Sequence, residues 1–225
     1  MDQKEILKHV DHTQLKAFAT WEDIQKLCEE AIEYQTASET ASVCIPPCYI
    51  KRVHDTYGEK INICTVVGFP LGYSVTEAKA AETKKALEDG ASEVDMVVNI
   101  SDVKNGNYDA VQEEIAALKK ITGDKILKVI IETCYLTEEE KIAMCKAVTA
   151  AGADYIKTST GFGTAGATLE DIRLFRENIG PDVKMKAAGG VKTVADMEAF
   201  LEAGCDRIGT SSAIQLIQGE QTSGY

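Results

Sequence analysis

Eight short apolar runs alternate with longer amphipathic segments, and this alternation restricts the possible folds more than any other feature of the chain. The runs cover residues 9–13, 41–45, 61–68, 93–99, 126–133, 155–160, 184–188 and 207–211. Their length and apolar content make them strand candidates. Between them apolar residues recur at helical spacing, as in segments 76–89, 108–121 and 137–151. Helix starts are marked by Ser or Thr with an acid three residues later: Thr20/Asp23, Ser74/Glu77, Thr137/Glu140, Thr168/Asp171 and Thr193/Asp196. In that spacing side chains satisfy the orphan N–H groups of a first turn. Helix ends are marked by Gly90, Gly123, Gly152, Gly180 and Gly204, the residue type that a left-handed C-cap favours.

Strand and helix alternating in this way call for a parallel sheet. Eight units within 225 residues fit one closed (β/α)8 barrel, the TIM-barrel architecture, as a single α/β domain over residues 1–225. An open doubly wound sheet uses the same alternation. Residues 218–225 fall outside the pattern and read as a mobile C-terminal tail.

Three strand candidates carry charges that a buried parallel sheet tolerates only when paired or functional. Asp95 interrupts Val94-Asp95-Met96-Val97-Val98, Lys157 lies in Tyr155-Ile156-Lys157-Thr158-Ser159, and Lys186 ends a run just before Gly189-Gly190. A weak repeat relates the fourth, sixth and eighth strands: Gly90-Ala91-Ser92-Glu93-Val94-Asp95, Gly152-Ala153-Asp154-Tyr155-Ile156-Lys157 and Gly204-Cys205-Asp206-Arg207-Ile208-Gly209. Alternate barrel strands supply the same interior layer, so Asp95 and Lys157 are expected at similar height. Strand parity turns Asp95, Lys157, Ser159, Lys184 and Lys186 inward, and Val94, Met96, Ile156 and Met185 toward the helices.

The chemistry follows from that grouping. A free lysine titrates near 10.4, and making it neutral at pH 7 takes roughly 4 kcal/mol. A second ammonium ~4 Å away, at an effective dielectric of about 20, supplies about that much. Lys186 is thereby an activating cation for Lys157, whose neutral amine can attack a carbonyl. Asp95 is a candidate for the proton transfers that carbon–carbon cleavage requires, directly or through water. Lys128 and Glu132 share parity on the fifth strand and are equally compatible with a structural ion network including Asp95.

A second signal is anion binding. Gly161-Phe162-Gly163, Gly189-Gly190 and Gly209-Thr210-Ser211-Ser212 follow the last three strands. The loops after strands seven and eight of a barrel, with the N-terminus of a short extra helix, commonly hold a phosphate. Ser212 would begin that helix, and Lys192 would add a cation. Asp11 and Thr13 are placed to touch substrate hydroxyls. Cys44 is placed to line the site from the second strand, although packing is the default role of a buried free cysteine.

Composition excludes several classes. A net charge of -12 leaves no basic footprint for nucleic acid and disfavours an anionic membrane surface. No apolar run approaches a membrane span, and Met1-Asp2-Gln3-Lys4-Glu5 has no apolar leader core. The 7 cysteines are odd in number and lack a C-x-x-C pair, which fits reduced thiols in a cytoplasmic protein. The 3 histidines lack zinc spacing, and no nucleotide-binding glycine motif occurs, so neither a metal nor another cofactor is expected.

Together the stretches Glu93-Val94-Asp95-Met96-Val97-Val98-Asn99, Lys157-Thr158-Ser159-Thr160-Gly161, Lys186-Ala187-Ala188-Gly189-Gly190-Val191 and Arg207-Ile208-Gly209-Thr210-Ser211-Ser212 resemble the deoxyribose-phosphate aldolases, as do Asp11-His12-Thr13 and Ser42-Val43-Cys44-Ile45-Pro46. The resemblance spans nearly the whole chain. It implies a metal-free class I aldolase that interconverts 2-deoxy-D-ribose 5-phosphate with acetaldehyde and D-glyceraldehyde 3-phosphate. It implies Lys157 as the Schiff-base lysine, Asp95 as proton-transfer acid/base and Lys186 as activating cation. Gly161, Gly189, Gly190, Lys192, Gly209, Ser211 and Ser212 match the phosphate-site pattern, and the C-terminal Tyr225 matches a tail tyrosine that assists proton transfer in some members. Phe162 stands where some relatives carry a lysine. The partners implied are phosphosugar and aldehyde small molecules, with homo-oligomers known in the family. Other readings of the residues are a different phosphosugar barrel, either an isomerase or a keto-acid phosphate aldolase, and a non-catalytic phosphosugar-binding barrel.

Overall fold

A computed structural model describes residues 1–33 and 41–219. Eight strands close into one barrel in sequence order. They are β1 (Val10–Thr13), β2 (Ser42–Ile45), β3 (Ile63–Val67), β4 (Glu93–Val97), β5 (Ile126–Ile130), β6 (Tyr155–Lys157), β7 (Lys184–Ala188) and β8 (Arg207–Thr210). Every neighbouring pair is parallel, and β1 pairs with β8 to close the ring. The closed barrel, rather than the open doubly wound sheet, is the fold.

The helices are α1 (Gln3–Leu7), α2 (Trp21–Glu33), α3 (Ile50–Tyr57), α4 (Thr76–Glu88), α5 (Ile100–Lys104), α6 (Tyr108–Thr122), α7 (Glu138–Ala150), α8 (Leu169–Asn178), α9 (Val194–Glu202) and α10 (Ala213–Ile217). Outward residues of the strands, including Val94, Met96, Ile156 and Met185, pack with helix residues such as Ile115, Leu118, Met144 and Phe175 in the main apolar layer. Burial of that layer is the dominant favourable contribution to folding. The barrel interior, by contrast, is charged near its middle.

Local signals account for most helix boundaries. Thr137 and Thr193 form complete capping boxes with Glu140 and Asp196. Thr168 accepts from the Asp171 amide, and Thr20 and Asp23 bond reciprocally. The Ser74/Glu77 expectation fails: the residue before α4 is Val75, whose carbonyl takes the Ala78 and Lys79 amides, and no side chain caps this start. Gly90, Gly123, Gly152 and Gly204 have positive φ as C-caps require, but Gly180 does not. α8 ends through extended Ile179. Gly180 answers a packing constraint instead, since a Cβ there would lie 2.4 Å from the Thr149 methyl. Lys184, expected to point into the barrel, is exposed at the start of β7, with its ammonium 5.8 Å from the Tyr155 ring.

At the C-terminus Gln218 and Gly219 still donate to carbonyls of α10. The rest of the expected tail, including Tyr225, lies outside the described residues.

Candidate active site

Register brings the charged residues together. Lys157 on β6 pairs with Lys186 on β7, Lys186 pairs with Arg207 on β8, and Asp95 on β4 pairs with Lys128 on β5. Lys128 in turn pairs with Tyr155, two residues before Lys157. Strand tilt in a barrel offsets that stagger, and Lys157 Nζ reaches Asp95 Oδ2 at 2.7 Å. The expectation of similar height holds for the interacting atoms.

Asp95 is the hub. Its Oδ2 accepts from Lys157 Nζ and, at 2.8 Å, from Lys186 Nζ. Its Oδ1 accepts from Lys128 Nζ at 2.9 Å and from the Cys64 thiol at 3.1 Å. Lys128 also meets Glu93 Oε2 at 2.5 Å. Arg207 bridges Asp11 Oδ1 at 2.6 Å and Glu93 Oε1 at 3.3 Å. Lys186 makes a short ion pair with Asp11 Oδ2. All these groups are buried.

Burial opposes the charges of Asp95, Asp11, Lys186 and Lys128, but the opposite charges beside these four prevail. Lys128, Lys157 and Lys186 hold the Asp95 carboxyl well below the ordinary carboxylate range. Lys186, Lys128 and Arg207 do the same for Asp11. Asp11 and Asp95 keep the Lys186 ammonium above the usual lysine range, and Asp95 and Glu93 keep Lys128 well above it. Opposite charge stabilises the ionised form of both partners.

The count of charges then becomes informative. Counting only groups in direct ion pairs, three carboxylates (Asp11, Glu93 and Asp95) face four cationic side chains: Lys128, Lys157, Lys186 and Arg207; Glu132 acts on Lys157 from beyond contact. These ion-paired groups balance with one amine neutral. Lys157 contacts a single carboxylate, whereas the other three cations each pair with at least two. Lys157 is also the one of the four that lines the cavity above.

That cavity encloses about 470 Å³ including its mouth. Lys157 is on its floor; Thr13, Thr160, Gly161, Gly189, Gly190, Gly209, Ser211 and Ser212 are on its walls. Gly189 and Gly190 have φ values of 74° and 73°, a region that L side chains rarely adopt. Gly209 is needed for a different reason. A Cβ there would sit 3.1 Å from both Lys186 Cε and Ala188 Cβ, so its absence lets the Lys186 side chain cross the strand.

The other expected site residues divide between the cavity wall and the layers around it. Asp11 is fully buried below the cavity, because Lys186, Arg207 and the Ser42 hydroxyl occupy its oxygens. Thr13 lines the cavity, although its hydroxyl donates back to the Asp11 carbonyl. Cys44 is buried in a small cluster with Leu15, Cys64 and Val66. Lys192 is exposed and not part of the wall; its amide donates to Asp196 at the start of α9. Asp95 and Lys186 sit beneath the cavity, reaching it through Lys157.

Sequence reasoning missed Glu93, Cys64, Arg207 and Gly166. The parity shared by Glu93 and Asp95, and by Arg207 and Gly209, was an available signal for two of them. Gly166 approaches the Gly189 backbone so closely that a Cβ would lie 2.2 Å from its carbonyl carbon. Two sets sharing Cys64 also lie within metal-ligand reach among the described residues: Cys44, Cys64 and Asp95, and Asp11, Cys64 and Glu93. The Lys128 ammonium already lies against the three carboxylates at 2.5–3.6 Å and the Cys64 sulfur at 3.3 Å.

Fold and site together define an α/β-barrel enzyme with an amine at the floor of a glycine-walled cavity. A family model described as DeoC/LacD family aldolase matches residues 1–213, and the chain belongs to that family. It is 72% identical over 225 residues, all of both chains, to a deoxyribose-phosphate aldolase of Clostridium botulinum. Among solved structures it resembles QR15, an aldolase, with a TM-score of 0.89 and 37% identity over 96% of this chain and 95% of that one. It also resembles the deoxyribose phosphate aldolase of Aeropyrum pernix, described as a unique tetramer, with a TM-score of 0.86 and 29% identity over 96% and 91% of the two chains.

Proposed function

We propose that this aldolase cleaves 2-deoxy-D-ribose 5-phosphate reversibly to acetaldehyde and D-glyceraldehyde 3-phosphate through a Schiff base on Lys157. The observation that carries the reading is the charge count: Lys157 is the fourth cation against three carboxylates and the one of the four that lines the cavity. Its neutral amine attacks the C1 aldehyde of the open-chain sugar, and water leaves to give an iminium. Loss of the C3 hydroxyl proton breaks the C2–C3 bond, and the electron pair moves into the iminium as an enamine. The C3 fragment departs as the aldehyde phosphate. Protonation at C2 and hydrolysis release acetaldehyde and restore the amine.

Asp95, ionised and shared by both amines, is suited to relaying protons between Lys157 and Lys186 and to keeping Lys186 charged. The sugar phosphate fits the opposite end of the cavity, where the backbone at Gly161, Gly189 and Gly190 and the hydroxyls of Ser211 and Ser212 can bind an anion. Full-length likeness to the Clostridium botulinum deoxyribose-phosphate aldolase supports this substrate over other phosphosugars.

The seven free cysteines support a cytoplasmic location, and among the described residues no helix is long and apolar enough to cross a membrane. The partners in this reading are the phosphosugar and aldehyde substrates. Self-association rests on the tetrameric description of the Aeropyrum protein and is tested by sedimentation. The function is tested by incubating the protein with deoxyribose 5-phosphate and measuring both aldehydes. Equal release of the two supports it; release of an isomeric phosphosugar, or binding without turnover, overturns it.

A further inference from the structure

Glu132 has a costly conformation that neither the ion network nor the cavity wall explains. Among the described residues it is the one non-glycine with positive φ, at 53° with ψ 67°. Side chains clash with their own backbone there, and such residues persist only where surrounding structure enforces them. It is 2% exposed, yet it makes no direct ion pair with the network; of the network's charges Lys157 acts on it, from beyond contact. Its carboxylate instead turns to the segment after β6. Oε1 and Oε2 accept from the Thr160 amide at 3.2 and 3.3 Å, and Oε2 also accepts a short hydrogen bond from the Thr160 hydroxyl.

The backbone on either side continues this attachment. Ile131 N donates to Lys157 O at 3.1 Å and Thr133 N to Thr158 O at 2.9 Å. Phe162 N donates to Thr160 Oγ1 at 3.0 Å. A Cβ on Gly163 would lie 3.1 Å from the Glu132 carboxyl carbon and 2.8 Å from Cys134 Sγ, so the returning loop closes directly over the carboxylate. The strand β6 ends at Lys157. Beyond it no ladder pairs the Thr160 amide, and the Glu132 carboxylate replaces that ladder. Lys157 and Gly161, at the two ends of this segment, are the amine and one anion-binding backbone position of the cavity.

We propose that Glu132 is a positioning residue that sets the spacing between the Lys157 amine and the phosphate end of the cavity by clamping Thr160. The inference rests on the aldolase reading and goes beyond it. A phosphorylated substrate must engage both ends at once, and its turnover depends on their spacing. Its dephosphorylated analogue engages mainly the amine. Small displacements of positioned groups are expensive in rate.

The test compares kcat/KM for deoxyribose 5-phosphate and deoxyribose in wild type, Glu132→Ala, Glu132→Gln, Thr160→Val and the Glu132→Ala/Thr160→Val double variant. Glu132→Ala should lower the ratio of the two values at least tenfold, with KM for the phosphorylated substrate rising. Glu132→Gln, which keeps an acceptor for the Thr160 amide, should restore most of the ratio. If Glu132 acts through Thr160, the double variant should be no worse than the poorer single variant. Loss of folded protein lowers both substrates alike and leaves the ratio unchanged, so a ratio equal to wild type in Glu132→Ala overturns the proposal. If that variant does not fold, a wild-type ratio in Thr160→Val overturns it. Failure of wild type to turn over the phosphosugar would instead refute the function on which the inference rests.

Discussion

Replacing Lys186 with methionine removes a charge while nearly keeping the volume, and its consequence can be worked from the geometry. Lys157 and Lys186 donate to one oxygen over 2.7 and 2.8 Å. With ordinary hydrogen-bond angles at that oxygen, the two nitrogens lie on the order of 5 Å apart. A unit charge at ~5 Å and an effective dielectric of about 20 is worth about 3 kcal/mol, or about two pH units for the neighbouring amine. The loss also leaves Asp95 and Asp11 one cation poorer, which favours a protonated Lys157 further. The acidic limb of the kcat/KM profile for Lys186→Met should therefore move up by about two pH units, with ~100-fold lower activity at pH 7 that recovers as pH rises. Any direct proton transfer by Lys186 adds a pH-independent loss. The fold should tolerate this change better than Asp95→Asn, because Lys157, on the same Asp95 oxygen, can take up a proton and replace the lost charge. Breaking a buried pair by removing its carboxylate costs roughly 3–5 kcal/mol. Steady-state kinetics across pH, with thermal melts of both variants, checks each part. An acidic limb that stays in place would refute the electrostatic role of Lys186.

Three further outcomes follow from the same geometry. Asp95 and Asp11 titrate below their unfolded values, so their stabilisation is present above about pH 4 and is lost as pH falls through the lower folded values. Lys186 titrates above its unfolded value, so its contribution is complete below about pH 10 and lost only as pH rises through the higher folded value. Circular dichroism across pH should accordingly give a plateau wider at both ends than an Asp95→Asn or Lys186→Met variant shows. Gly209→Ala should reduce kcat by tenfold or more with little change in melting temperature, because the added methyl meets Lys186 Cε at a backbone conformation that alanine can adopt; unchanged kcat would mean that the lysine is not held by this contact. Ser212→Asp should weaken deoxyribose 5-phosphate far more than deoxyribose, by like-charge repulsion at the anion end, and an equal loss for both would move the phosphate elsewhere.

The barrel was legible because its signals are local and repeated. Strand length, helical spacing and side-chain caps each depend on a few adjacent residues, and four of the five expected caps form. They misled in two places: α4 starts after Val75 without a side-chain cap, and Gly180 is small because Thr149 presses on it. The grouping of Asp95, Lys157 and Lys186 could be read from parity and from a repeat with a fixed offset. The rest of the network could not. Arg207 bridges Asp11 and Glu93 across residues far apart in sequence, and Asp11, which looked ready for a substrate hydroxyl, is claimed by cations from three other strands. Lys192 follows a glycine pair that suggested a phosphate ligand, but its segment starts a helix. Glu132 shares parity with Lys128, and only its left-handed backbone, which a sequence does not reveal, turns it to Thr160 instead.

The central claim is that Lys157 is the nucleophile. The direct measurement is borohydride reduction in the presence of deoxyribose 5-phosphate or acetaldehyde, followed by peptide mass spectrometry. The charge count predicts a single reduced adduct on Lys157, absent in Lys157→Leu while that variant still folds. An adduct on Lys186 or Lys128, or none in a folded protein that cleaves the sugar, would contradict the account.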